Sequence, residues 1–576
     1  SDLCFFRVSD KVVNDHARQQ MVLVLLLLPV AAVVGLSAPP PRVAVIGAGW
    51  GGLGAAKALA ENGCRVTLVD GGNPLRPQTT PSGKPFEAGT RGFWYDYPNI
   101  NKLGEDLALG DVYTPFTESS FFGPYGLECT APVFSAGTTQ QLPSPLGQVF
   151  ASFDRFKRLP FTDRLSILGL FAAMADLQRS PEVFEGYDRM TAHELFLRCG
   201  VTKRLVDDFL KPTLLVGLFK PPEELSAAVT MELLYYYALA HQSSFDVRWL
   251  KKGTVQSVFF EPILADLRDR LQVDLSFDTF ASKLHYDQDT NKVTAVDLSS
   301  SKRKDGVVSP SETLEVDAVV LALGANGLRA VVGQSPEVAK RCPELAATAG
   351  LGAIDVVAAR IWFDKTVQTE TPVGVFSKFP ELRGAGGTFF VLDQLQKNDL
   401  DDLWGGNNNA EPRGSVLACD FYNAAAIAPL SDDEIKKILV SDLLPRAYPA
   451  FRDATVVDFH VQRFPKAVSW FSPGSFANRP PLKTAIPNVV CAGDLVRMGE
   501  KEFGAKGLCQ ERALVSGYEA ANELADNGAL PPTCSTRHPV IPIRDDEPQY
   551  LAAVQLNKAI QDTFLKPLGI DSFWVR

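Results

Sequence analysis

The chain has 576 residues, 46% of them apolar and 22% charged, with a formal net charge of −10. That length is enough for more than one domain around a large core, and the acidic balance excludes nucleic acid and a broad electrostatic grip on anionic lipid. Nine cysteines without a CxxC pair and six scattered histidines give neither a disulfide framework nor a metal-ligand spacing.

Residues 1–20 are unpatterned, and 21–34, MVLVLLLLPVAAVV, are strongly apolar. The run is short for a membrane span and Pro29 interrupts it. Lys11 and Arg18 upstream and small residues after it are the pattern of a signal-type leader, with Met21 an alternative start. Residues 1–38 are therefore set outside the fold as a targeting leader.

The chain is organised around 42–70, RVAVIGAGWGGLGAAKALAENGCRVTLVD. Residues 43–46 predict a buried parallel strand, 55–62 a helix stopped by Gly63, and 65–69 a second strand closed by Asp70. Between them Gly47, Gly49 and Gly52 form GxGxxG: a tight turn, a close backbone approach to a pyrophosphate, and close packing of helix on strand. The helix N-terminus favours phosphate charge, and Asp70 stands where a ribose hydroxyl is accepted. The bland alternative, a glycine-rich turn with no ligand, leaves Asp70 and the glycine register unexplained.

A loop over 71–83 leads into 84–109, where Gly89 and Gly92 mix with Phe93, Trp94, Tyr95 and Tyr97. This is either backbone packed on a flat partner or aromatic packing into the core. Short strands and loops follow over 115–150, then helices over 161–177, 201–217 and 223–240. Their wide apolar faces make either a plain core or the wall of an apolar chamber. Residues 273–298 predict two strands around a turn at 287–291, and 315–323 a buried strand ending in glycines, a return to the nucleotide-binding sheet. Strands of a second sheet are expected at 353–364, 387–393 and 414–422, a surface loop at 399–411, a helix at 431–444 capped by Ser431, and a strand at 458–463. In the block 488–524 a strand ends at Gly493-Asp494, and a helix runs from about Gln510 to Leu524. Residues 531–576 are an extension with one helix, 549–564.

Two separated nucleotide-type elements over one ligand fit FAD: adenosine and phosphates at the first, ribitol and flavin at the last. Asp494 then faces the ribitol or pyrophosphate, and the helix start at Gln510 favours negative charge at the flavin N1–C2=O edge.

Four stretches carry a family resemblance: the opening fingerprint, FEAGTRGFWYDYPNINKLGEDLAL, RWLKKG at 248–253, and the long block from Val461 through AGD to GLCQERALVSGYEAANEL. With them the chain resembles the FAD-dependent amine oxidoreductase superfamily and, within it, the plant and cyanobacterial zeta-carotene and phytoene desaturases, from about Arg42 to Leu524. The resemblance implies an α/β fold, a Rossmann-type FAD-binding domain (39–100, 255–330, 487–530) interleaved with an α+β substrate domain (101–254, 331–486). It implies further cofactor contacts at Gly51, Gly71, Arg76, Gly89, Arg91, Gly92, Phe93, Ala281, Gly324, Gly493, Leu508, Glu511 and Ala513. Two departures stand out: the GGR expected after the ribose acid is missing, and Arg512 replaces a small residue beside the flavin.

For function the resemblance implies a flavin-dependent oxidoreductase that takes a hydride from an apolar polyene, a carotenoid, and is reoxidised by a quinone or oxygen. Such a substrate binds by apolar burial and is oxidised through positioning. Arg248 is the candidate catalytic residue, near flavin or quinone, with a surface arginine as the equal alternative. Tyr237, His241, Trp470 and Phe471 are candidate pocket walls, against ordinary core roles. Residues 161–177 are a candidate for peripheral membrane contact. The implied location is a plastid, reached after leader cleavage, with the secretory route as the alternative. Competing readings are a redox-neutral carotenoid isomerase, another oxidase of the superfamily acting on an amine or porphyrinogen, and a non-catalytic flavin- or carotenoid-binding assembly subunit.

Overall fold

The computed structural model describes residues 39–135, 143, 158–177, 180–300, 312–397, 399–406, 412–501 and 509–575; the leader and Leu508 lie outside them. Five short strands form one all-parallel sheet, in the order Val489–Cys491, Ala318–Leu321, Arg42–Ile46, Arg65–Val69, Asp274–Ser276. The central strands are runs of valine, isoleucine, leucine and alanine because helices cover both faces. The opening helix spans Trp50–Glu61 and so starts inside the glycine run, five residues before the predicted start. Gly49 is extended there and acts as N-cap, which lets Gly51, Gly52 and Gly54 sit in the first turns.

The single strand expected over 315–323 is two. Glu312–Glu315 belongs to a separate three-stranded antiparallel sheet with Thr279–Asp287 and Lys292–Ser300. Asp317 makes the break: its carboxylate accepts the Arg42 backbone N–H at 2.7 Å and the Arg42 guanidinium at 3.2 Å, tying the turn to the first parallel strand.

A second, seven-stranded sheet runs in the order Val456–Trp470, Gly352–Phe363, Val416–Tyr422, Gly386–Val391, Val373–Phe376, Ser119–Gly123, Gly126–Ala131. Along Gly352–Phe363 the side chains alternate. Val357, Ala359, Ile361 and Phe363 pack with Ile435, Leu439 and Leu443 of the helical stretch behind the sheet. Arg360 and Trp362 turn the other way, toward segments 84–91 and 247–257.

The helices after residue 160 are more broken than their apolar period suggests. Phe161–Leu165 and Leu168–Leu177 are separate; Gly169 is pressed so close to Cys199 that a Cβ would lie 2.1 Å from its carbonyl oxygen. Over Val206–Leu210 the helix widens to i→i+5 bonding just ahead of Pro212, which has no N–H to give. Part of the expected surface loop at 399–411 is ordered helix: Leu400–Leu403 makes one turn and buries Leu403 and Trp404, while 407–411 lie outside the described residues.

The extension is docked. Its helix Pro548–Ile560 lies on Leu168–Leu177. Buried Asp176 accepts hydrogen bonds from Tyr187 Oη (3.0 Å), Asn557 Nδ2 (3.3 Å), Gln561 Nε2 and Ser572 Oγ. Among the described residues no helix is long and apolar enough to cross a membrane.

Candidate functional site

Three stretches far apart in sequence meet at the carboxyl edge of the parallel sheet. The opening helix packs on the closing helix, Gln510–Asp526, backbone to backbone. A Cβ on Gly517 would lie 2.1 Å from the Gly51 carbonyl oxygen, and one on Gly54 2.8 Å from that of Leu514. Gly51 itself faces the end of the last parallel strand, with its Cβ position 3.0 Å from Gly493 N. Gly47 (φ +110°) and Gly493 (φ +127°) hold backbone conformations that other residues rarely adopt, so both turns require glycine.

One side chain joins all three stretches. Gln510 Oε1 accepts Trp50 Nε1–H at 3.1 Å, and Gln510 Nε2 donates to the Gly92 carbonyl at 3.1 Å. Next to it, buried Glu511 accepts Asn99 N–H (2.9 Å), Asn99 Nδ2 (2.7 Å) and Ile100 N–H (3.0 Å), and so caps the helix Pro98–Asp106. Glu511 therefore acts through that helix start, and burial pushes its carboxyl up to about 7.

The cradle between these elements is open where a dinucleotide needs it. A Cβ on Gly49 or on Gly324, which caps the helix after the adjacent strand, would meet no atom within 4 Å. The opening helix has no side-chain cap and no acid in its first turn, so among the described residues its first N–H groups have no capping acceptor. These features fit a pyrophosphate at that position. Asp70 closes the loop beside it: Oδ2 accepts Ala48 N–H and Oδ1 accepts Gly72 N–H, both at 2.7 Å. Arg76 is bonded to both oxygens of Asp278 at 2.9 Å, Gly71 lies under the Phe280 ring, and Ala281 follows on the same strand.

Arg512 has a structural explanation. Its Nε donates to the Asp494 carbonyl (2.7 Å) and its Nη2 to the Val496 carbonyl (2.6 Å), so the guanidinium braces the turn after Gly493 from behind. Arg479 does the same through the Leu495 carbonyl at 2.7 Å. Burial and the neighbouring Arg479 charge lower the Arg512 pKa to about 9. Asp494 is raised from its ordinary value by burial, against the pull of both arginines. Ser516 Oγ accepts Gly493 N–H at 2.7 Å, and Ala513 faces Gly51 across the helix contact.

In the glycine-aromatic stretch, Gly89 and Thr90 donate their N–H groups to the two oxygens of Asp420, each at 3.1 Å, and Arg91 Nη1 donates to the Gly89 carbonyl at 2.7 Å. Phe93 and Tyr97 are core residues, with Phe93 stacked on Phe259 at 5.5 Å. Arg248 pairs across from Phe93, donates to Asn101 Oδ1 at 2.8 Å and lies 3.9 Å over the Tyr113 ring; burial lowers its pKa.

The four expected pocket walls have separate partners. Tyr237 packs on Trp94 with its hydroxyl 3.3 Å from Tyr97 Oη. His241 Nδ1 is 3.5 Å from Glu547. Trp470 Nε1 donates to the Glu224 carbonyl at 2.8 Å, and buried Phe471 lies under Arg479. None of them lines the cavity of about 320 Å³ that opens beside Thr90 and Arg91. That cavity lies between Phe86 and Glu87, the start of the helix after Gly253, Arg360 of the second sheet, and Leu392 and Leu395 of the helical turn Leu392–Leu395 that follows one of its strands. Sequence reasoning missed Gln510, Glu87, Arg360, Arg479 and Asp420. The available signal was a charge inside an apolar strand, as in VAARIWF and VLACDFY.

The family model for flavin containing amine oxidoreductase matches residues 50–525. The chain belongs to that family. The chain is accordingly an FAD-dependent oxidoreductase. A carotenoid phi-ring synthase of Streptomyces griseus is 26% identical over 84% of this chain and 88% of its own. A 15-cis-phytoene desaturase of Synechococcus elongatus is 22% identical over 79% and 90%. A probable zeta-carotene desaturase of the same organism is 22% identical over 85% and 99%. Among solved structures, cyclohexylamine oxidase from Brevibacterium oxydans aligns at a TM-score of 0.56, 16% identical, over 85% and 99% of the two chains. Putrescine oxidase bound to putrescine also aligns at 0.56 and 16%, over 84% and 99%. At that identity these two structures establish the shared fold.

Proposed function

We propose that this flavoenzyme oxidises a carotenoid. One observation carries the reading: relatives named for carotenoid chemistry align along most of this chain and most of their own. When bound, FAD supplies a two-electron acceptor for a C–H bond of the polyene. The protein's part is to bind and orient. Gly47, Gly49 and the uncapped helix start hold the pyrophosphate, Asp70 the ribose edge, and the Gly493-Asp494 turn, braced by Arg479 and Arg512, the ribitol end. Gly89, Arg91 and Gly92, tied to both helices through Gln510, set the face on which the substrate meets the ring.

The substrate offers almost no polar handle, so affinity comes from apolar burial at roughly 25 cal/mol per Å². A quinone or oxygen takes the electrons onward. Such a substrate resides in lipid, which supports peripheral contact with a plastid membrane. The Streptomyces griseus relative favours a second reading, in which oxidation falls on a ring of the carotenoid rather than on its open chain.

The test is anaerobic mixing of the purified yellow enzyme with open-chain and ring-ended carotenes. Flavin absorbance is expected to bleach in proportion to carotene consumed, with a longer conjugated product. Bleaching by amines and by no carotene would overturn the proposal. Isomerisation without net bleaching would replace it with redox-neutral catalysis.

A further inference from the structure

The cavity beside Thr90 contains a group that an all-hydrocarbon substrate does not use. Arg360 is 5% exposed, in the middle of an apolar strand. Among the described residues its guanidinium makes one hydrogen bond, from Nη2 to the Glu87 carbonyl at 3.3 Å, lies 5.9 Å from the Phe86 ring centre and makes no ion pair; its Nε has no hydrogen-bond partner. A buried charge left this way is costly. Burial lowers its pKa, with Glu87 and Asp420 the nearest charges acting the other way. Neither closes on it. Asp420 spends both oxygens on Gly89 and Thr90, and Glu87 Oε1 is taken by Val255 N–H at 2.9 Å.

We infer that Arg360 is the recognition point for a ring-sized ligand whose head is an uncharged oxygen, a carbonyl or hydroxyl. An arginine only donates, so the head must accept. It is uncharged because four acidic residues, Glu87, Glu261, Asp399 and Asp402, line the cavity against two arginines, Arg91 and Arg360, an acidic balance that disfavours a carboxylate or phosphate. The body is apolar because Phe86, Trp249, Leu250, Leu392, Leu395 and Leu403 are the large apolar side chains of the wall. At about 320 Å³ the cavity is at the small end of ligand pockets, room for one substituted ring. Two sources share this chemistry: a quinone, and the oxygenated end ring of a carotenoid. The inference deepens the proposed function by giving an oxygen-bearing reactant its own place.

The experiment measures equilibrium binding to the oxidised holoenzyme, without turnover, by calorimetry. The probes are a short-tailed benzoquinone, a hydroxylated ionone-type ring, and a hydrocarbon ring of equal size. Wild type is expected to bind at least one oxygenated probe and to discriminate against the hydrocarbon. Arg360→Leu should weaken the oxygenated probe about tenfold to a hundredfold, the effect of losing one charged donor, and leave the hydrocarbon unchanged. Arg360→Lys should recover part of the loss. The preferred probe identifies the source. Equal binding of all three probes by wild type would overturn the inference, as would unchanged oxygenated-probe binding in Arg360→Leu with a normal flavin spectrum. If Arg360→Leu fails to fold, the wild-type probe comparison and Arg360→Lys still decide. Anaerobic bleaching by a carotene is a separate readout, so failure here and failure of the proposed function are distinguishable.

Discussion

The helix seam under the proposed FAD cradle and the cavity beneath the second sheet are built on opposite principles. In the seam the contacts are backbone on backbone: Gly517 against Gly51, Gly54 against Leu514, and Gly493 at a φ that demands glycine. In the cavity they are side chain on side chain, and its polar groups, among them Arg360 on a sheet strand, Glu87 on a loop and Glu261 on a helix, come from segments far apart in the chain. A site that must hold one constant cofactor uses glycines at fixed spacing. A site that selects a substrate uses scattered side chains that repacking can change.

The largest effect that would sharpen this contrast is at the seam. Gly517→Val forces the two helices apart, since even a Cβ would stand 2.1 Å from the Gly51 carbonyl oxygen. We expect loss of bound flavin, measured as the absorbance ratio of purified protein. Retention of stoichiometric FAD would show that the close packing is not needed. Next is Glu511→Ala, which strands three buried N–H donors and should cost about 3 kcal/mol in denaturant unfolding.

The same residue gives a pH signature. Its carboxyl sits at about 7 in the folded protein, above the ordinary carboxylate value. The folded state therefore keeps a proton that the unfolded chain has released. That contribution is fully present below the unfolded pKa of about 4.3 and is lost as pH rises through about 7. Glu511→Gln should flatten that part of the stability–pH curve, and an unchanged slope would assign it elsewhere.

Arg512→Ala removes the brace on the Asp494 and Val496 carbonyls and should weaken FAD binding about tenfold, read by fluorescence titration of the apoprotein. The smallest effect lies away from both regions. Ser431→Ala breaks the capping box with Glu434 and should cost about 1 kcal/mol with flavin content unchanged.

Legibility in the sequence followed the same division. The strand–glycine–helix unit at 42–70 and the turn at Gly493 were readable because local spacing encodes them. The N-cap at Ser431 was readable for the same reason; the reciprocal bond from Glu434 is seen only in the structure. Arg512 was misleading: in the sequence it sits beside the flavin motif, and in three dimensions it turns behind the strand end. Gln510, which ties Trp50 to Gly92, carries no local pattern, because its partners lie hundreds of residues away; Asp420, which holds Gly89 and Thr90, shows only as a charge inside an apolar strand, with nothing local to name its partners. The helices near 161–177 and 201–217 depart from one regular helix, the first split just before Gly169 packs against Cys199 and the second widened just ahead of Pro212, constraints that an apolar period does not register.

The central claim is that a turn near the end of the chain completes a cofactor site begun near its start. The most direct measurement is FAD uptake by Gly493→Val, in which residues 42–70 are untouched. One equivalent of FAD per wild-type chain is expected, and none in the variant, with secondary structure retained. Uptake by the variant at wild-type affinity would contradict the claim.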